Sequence, residues 1–289
     1  VKEKMKSLEE LATIDTTAVT DLIPKVILDE VEEAARARRF GRNLVRINED
    51  LVRTKGRSIV VGRRGVLSAA GPISEGASLK AEDAGTLVYT ASTITPVKYG
   101  THAGITQEAI EGCELNLIRD AITEAGIALA QKEDEVILTE LLTTSNTLNA
   151  EDIGTWSVDK AYEIITTAVG MIKAKNWAPK FLLIHPDDLK GILISSMFID
   201  ASKYGSNEPI INGEIGKLAG LKILVSSNMT SGSAIVIDSD RGAWMAVRRH
   251  VDMKRWDNPD TDSIELYFYM EYGVDVTDED AVVKITNIS

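Results

Sequence analysis

Residues 107–143 contain no proline, and Ile118, Ile122, Ala125, Leu129, Val136 and Leu141 recur there on one helical face. Read as a single helix, the segment spans about 55 Å at about 1.5 Å per residue. A compact globule of 289 residues has a radius of gyration near 19 Å, a diameter of about 50 Å. Such a helix crosses the whole molecule and predicts a flat or elongated plate. Gly126 is a position where a kink would shorten it.

The residues before this helix do not all belong to a core. Residues 57–61 and 86–97 are rich in Val, Ile, Thr and Tyr and read as strands. Between Leu67 and Gly85 only Ile73 and Leu79 are large and apolar. A loop that long without structure of its own is uncommon in a compact domain. Two strands carrying a polar tip predict a projecting hairpin. Residues 1–21 are charged and Thr-rich and read as an arm that orders against a partner. Pro24 suits a first helical turn, and Val26, Ile27, Glu30, Val31 and Ala34 follow at helical spacing, predicting a helix that ends near Gly41. Its tail carries Arg36, Arg38, Arg39, Arg42 and Arg46, which complement a helix C-terminus and read as a solvated face.

After a linker at residues 146–154 the pattern becomes mixed. A helix is expected over 158–175, a strand over 180–184, and a further helix capped by Asp187 or Asp188 after Pro186. Gly213, Gly216 and Gly220 precede a strand at 222–226, and residues 234–237 form another. The last forty residues alternate, as in Ile264, Leu266 and Phe268, and predict antiparallel strands. The class is α+β.

The balance of 32 basic against 44 acidic side chains gives a net charge of -12. This opposes a dedicated nucleic-acid binder, whose affinity rests on basic surface. The acidity lies downstream: residues 1–64 carry 14 Lys/Arg and 11 Asp/Glu, the rest 18 and 33. No apolar run approaches the roughly 20 residues of a membrane span. Cys113 is the sole cysteine, so no internal disulfide forms and a soluble chain made in a reducing cytosol is expected, with no membrane partner.

Catalytic and metal-binding patterns are missing from the sequence. Gly213 to Lys217 lacks the spacing of a phosphate loop and the following Ser/Thr. His102, His185 and His250 are isolated, which gives zinc no ligand set. Asp238, Asp240 and Gly242 resemble the start of a calcium loop, but the glycine is one position early and Arg249 stands where a bidentate acid is needed. These residues, and Asn258, Asp260 and Asp262, read as polar turns. Cys113 reads as structural. No catalytic residue, cofactor or metal is assigned.

The order of arm, helix, long hairpin, spanning helix, α/β unit and returning strands resembles tailed-phage major capsid proteins of the Hong Kong 97 fold. The local likeness lies in Glu75-Gly76-Ala77, in the strand pattern from Ile94 to Tyr99, and in Ile105-Thr106-Gln107-Glu108 opening the long helix. Residues 180–188 are similar to the family's strand-then-proline segment, residues 215–226 to its glycine-rich turn and strand, and residues 234–244 to the strand after it.

The resemblance implies an N-terminal arm at residues 1–24, then residues 25–47 leading into an extended loop at 48–98. It places a peripheral domain with the spine helix at 99–154 and 246–289, and an axial domain at 155–245. It implies hexamers and pentamers in an icosahedral shell around double-stranded DNA, assembled in the host cytoplasm and located in the virion capsid. Its partners would be further copies of the chain, a scaffold, a maturation protease, a portal and decoration proteins. Arg36, Arg38, Arg39, Arg63, Arg64 and Glu75 become candidate assembly contacts, and the first three of these would also moderate repulsion from DNA. The start at Val1 fits either maturation cleavage or a cloning boundary. Some members crosslink a Lys to an Asn. Lys55, Lys80, Asn207, Asn212 and Asn228 match no such motif, so no crosslink is expected. An encapsulin, which encloses a cargo enzyme in a shell of the same fold, is the first alternative. An α/β enzyme with an unrecognised site is the second.

Overall fold

A computed structural model of the chain describes residues 39–54, 56–64, 89–112, 117–156, 160–193 and 217–288. The expected arm, most of the helix after Pro24, and the polar loop at 67–85 lie outside the described residues. In chain order the elements begin with β1 (Arg46–Asn48), α1 (Asp50–Arg53), β2 (Ile59–Arg64), β3 (Tyr89–Ile94), β4 (Val97–Thr106), α2 (Gln107–Gly112) and α3 (Leu117–Leu141). They continue with β5 (Thr147–Asn149), α4 (Ala161–Ala174), β6 (Phe181–Ile184), α5 (Lys190–Leu193), β7 (Lys217–Leu218) and β8 (Leu221–Val225). The chain closes with β9 (Ser233–Ile237), β10 (Ala243–Asn258), β11 (Ser263–Val276) and β12 (Val282–Thr286). Among the described residues no helix is long and apolar enough to cross a membrane.

The residues form two units, the larger made of Gly41–Pro96, Glu135–Val247 and Gly273–Ser289. It holds a six-stranded sheet in the order β5-β12-β9-β6-β8-β7. β6 is parallel to β8, with Phe181 opposite Lys222, and antiparallel to β9, with Phe181 opposite Ile237. β12 is antiparallel to β9 and parallel to β5. Leu182, Leu183 and Ile184 on β6, and Ala234 to Ile237 on β9, are all fully buried. A strand covered on both faces has no solvent side to mark, which is why these segments are unbroken apolar runs.

Helix α4 covers one face with Ala161, Ile164, Ile165, Ala168, Val169 and Ile172, the three- and four-residue spacing of a buried stripe. These pack with Leu182, Ile184, Val236, Val283 and Ile285. The helix stops at Asn176, whose φ of 64° is left-handed. There the Asn176 N–H donates to Lys173 O at 2.9 Å and the Trp177 N–H to Ile172 O at 3.3 Å, a Schellman closure. β7 and β8 are joined by Ala219 and Gly220 with φ of 51° and 86°. Two positive φ values match a two-residue turn to the twist of its strands.

The smaller unit contains residues 39–40, Val97–Asp134 and Arg248–Tyr272. β4 and β11 pair antiparallel along ten residues, from Ser263 opposite Thr106 to Tyr272 opposite Val97. Alternation puts Leu266, Phe268, Met270 and Tyr272 on the buried face, where Tyr99 stacks on Tyr272 with ring centroids 4.7 Å apart.

Several expectations change at the element level. The strand expected over 86–97 divides at Thr95-Pro96 into β3 and β4, and β4 continues to Thr106, consistent with proline's missing N–H. Helix begins at Gln107 as expected, and is described over α2 and α3, with residues 113–116 and hence Cys113 outside the described set. Ile122, Ala125, Leu129 and Leu141 are buried as expected. Val136 is only half-buried, and the stripe runs instead through Glu133, Asp134, Ile137 and Leu138. Asp187 and Asp188 do not cap a helix. The Asp188 carboxylate accepts the Gly232 N–H at 2.8 Å, 44 positions away, and the Asp187 N–H donates to His185 Nδ1 at 3.2 Å within the turn before α5.

Truncating Ile165 to Ala leaves a cavity under the sheet and is expected to cost about 2–5 kcal/mol. The same truncation at Val60, which is 63% exposed, should change stability by no more than about 0.5 kcal/mol. Urea unfolding of the unassembled chain measures both.

Candidate assembly surfaces

β2 and β3 form a two-stranded sheet of their own, with Ile59 opposite Ile94 and Arg64 opposite Tyr89. These are the strands expected to carry the projecting loop. An isolated ribbon is marginal in water, so its root matters. Ile94, Leu51 and Ala246 form a small buried cluster against which Ile59, Val61 and Trp244 pack. At Gly273 an added Cβ would stand 2.8 Å from the Thr95 carbonyl oxygen, so the chain passes there only as glycine.

Polar contacts complete the root. The Arg63 guanidinium lies 2.9 Å from Asp278 Oδ1 and 2.9 Å from Asp280 Oδ2. Lys175 Nζ lies 3.6 Å from Asp280 Oδ1, and Ser92 Oγ donates to the Asp275 carboxylate. Burial raises the Asp278 pKa above the ordinary aspartate value, opposed by the Arg63 charge and by the hydrogen bond from the Asp280 N–H. Burial also raises the Glu140 pKa, reinforced by the charge of Asp275. Arg63 is thus engaged within its own chain.

Arg39, expected on a solvated face, is buried. Its side chain is 5% exposed and its Nε lies 2.9 Å from Glu133 Oε2, while the Phe40 N–H donates to Asp134 Oδ2 at 3.4 Å. The cation and the backbone donor answer two carboxylates that interrupt the apolar stripe of α3, since a charge out of water needs a partner. Arg36, Arg38 and Glu75 lie outside the described residues, and of Arg64 only the backbone position at the end of β2 is described.

On the face of β11 opposite Phe268 and Met270, Lys98, Arg249 and Lys254 surround the buried Tyr269 ring at 4.3, 5.3 and 5.9 Å. The Tyr269 hydroxyl donates to Asp252 Oδ2 at 2.6 Å, which raises its pKa together with desolvation. His102 stacks on Tyr267, and Trp256 stands 53% exposed nearby in sequence. The turn residues behave as turns: Asp238 accepts the Ala178 and Asp240 N–H groups, and Asn258 accepts the Asp260 N–H. Among the described residues no three His, Cys, Asp or Glu side chains converge to hold a metal.

Comparison with solved structures defines the class. The chain is similar to a cyanophage P-SCSP1u capsid structure, with a TM-score of 0.70, 13% identity, and coverage of 86% of this chain and 88% of that one. It is similar to a structure from Mycobacterium phage Che8, at 0.68 and 16%, covering 86% and 90%. A virus-like particle from Pyrococcus furiosus follows at 0.59 and 16%, covering 90% and 98%. At these identities the likeness establishes the fold, which is the α+β Hong Kong 97 capsid fold. Residues 89–285 match the phage capsid protein family, and the chain belongs to that family. It is a major capsid protein, a structural component that assembles with copies of itself into the virion shell. The encapsulin alternative has no better support. No curated protein matches the sequence.

The acids at the ribbon root were missed in the sequence. Asp278 and Asp280 stand out only as charges after a strand, and nothing local points to Arg63, 217 positions from Asp280.

Replacing Arg63 with Gln removes the charge that opposes the raised Asp278 pKa and raises it further. A carboxylate raised in the folded state favours folding when protonated, so the penalty of R63Q is full at neutral pH and shrinks as the solution becomes acidic. Arg63 is partly exposed, so the neutral-pH cost is about 1–2 kcal/mol. Thermal melts of R63Q and the parent across pH 4 to 8 test the trend.

Proposed function

We propose that this chain forms hexamers and pentamers that close into an icosahedral shell around double-stranded DNA, without reading its sequence. The observation that carries this reading is the β2–β3 ribbon, which pairs with no other strand among the described residues and leaves Val60 63% exposed. Such a ribbon gains its cover from neighbouring copies. The net charge of -12 supports containment without tight adsorption of DNA.

On this reading residues 1–24 are the arm and 48–98 the extended loop. Residues 99–154 with 246–289 are the peripheral domain, and 155–245 the axial domain. Arg36, Arg38, Arg64 and Glu75 contact neighbouring subunits. The protein is not an enzyme. It assembles in the host cytoplasm with a scaffold, a maturation protease, a portal and decoration proteins.

Electron microscopy of the purified chain and of particles from infected cells tests this. Uniform closed shells with fivefold and sixfold capsomers and DNA-dense interiors are expected. Shells filled with a protein cargo would replace this reading with the nanocompartment one, and a protein that stays monomeric with scaffold and protease present would end it.

A further inference from the structure

A cleft of about 430 Å³ opens in the larger unit beside the ribbon root, lined by Arg46, Arg63, Trp177, Arg241, Trp244 and Asp278 among others. A second hollow of about 430 Å³, lined by Asn43, Val45 and Ser239, shares Arg46 and Asp240 with it. Most charges of this groove are answered within the chain. Asp240 receives Lys180 at 2.6 Å, and Arg63 takes Asp278 and Asp280.

Two cations are not. The Arg46 guanidinium lies 4.5 Å over the Trp244 ring, and that of Arg241 4.3 Å over Trp177. Arg241 acts on Asp278 through its field, but neither guanidinium has a carboxylate at ion-pair distance or a hydrogen-bond acceptor among the described residues. Stacking on an indole face restrains a guanidinium while leaving its N–H edge available for a carboxylate or phosphate. A donor restrained in advance loses less entropy on binding.

Asp240 and Asp278 also line the groove but are already paired with Lys180 and Arg63. The charge left to answer is two separate guanidiniums, which single carboxylates on a peptide match one by one and the continuous charge of a nucleic-acid backbone does not. Other copies of this chain supply such groups in excess, since residues after 64 carry 33 Asp/Glu against 18 Lys/Arg.

We infer that the groove presenting Arg46 and Arg241 receives acidic side chains of a second copy of this chain. The inference rests on the assembly reading above and names a contact within it.

The test compares shell assembly of the full chain with that of the double variant R46Q/R241Q, by sedimentation and electron microscopy. The variant should need a protein concentration about tenfold higher to assemble, with R46K/R241K recovering only part of the loss. Independently of any variant's folding, a short polyglutamate peptide should inhibit assembly of the unmodified chain and change its tryptophan emission, and a short DNA duplex at equal charge should do neither. Unchanged assembly of folded R46Q/R241Q overturns the inference, as does an inert peptide or a duplex that competes better than the peptide. In each case the unmodified chain still forms shells and the assembly reading stands. An unmodified chain that never associates removes both.

Discussion

A two-stranded ribbon has too little surface to bury to hold its own place, so everything about it depends on the root. Here the root combines three kinds of restraint: a small apolar cluster around Ile94, a glycine that admits the Thr95 carbonyl, and the Arg63 contacts with Asp278 and Asp280. The apolar cluster is small, and hydrophobic attraction is non-directional. The guanidinium contacts are directional and tie β2 at Arg63 to two acids of the turn before β12. Burial raises the Asp278 pKa, and the Arg63 charge opposes that rise, so the guanidinium answers a carboxylate that has left water.

The same logic recurs in the smaller unit. Helix α3 places Glu133 and Asp134 on its buried stripe, a setting in which replacing buried ion pairs by apolar residues of similar volume is often neutral or stabilising. With Arg39 and the Phe40 N–H as partners, the pair ties residues 39–40 to one position along the helix. Apolar side chains in their place would tolerate sliding by a turn; a charge matched to a charge does not.

The six-stranded core was legible because burial on both faces writes itself as unbroken runs at residues 181–184 and 234–237, and α4 because its stripe keeps strict helical spacing. The extent of β4 was not. Its sequence of Val97 to Thr106 mixes Gly, His, Thr and Ala, and its alternation appears only once β11 supplies the partner face. The α3 stripe was misread at Val136 because the buried positions just before it are acids, which a reading based on hydrophobic period discards. The contact groups were the least legible. The resemblance makes Arg63 a candidate assembly contact, but the acids it meets within its own chain lie at the far end of the sequence. Arg46 and Arg241 differ from other surface arginines only through the tryptophans beneath them. Family likeness supplied the fold where local pattern could not.

The ribbon also bears on how long a subunit can safely remain alone. Both its outer edges are unpaired among the described residues, and a free edge beside an exposed valine is a template for any other extended chain. Correct neighbours and incorrect ones compete for it by the same backbone chemistry. The yield of sound shells is therefore a race between ordered capture and disordered pairing, and it is decided by how quickly subunits are synthesised and how soon each finds its place.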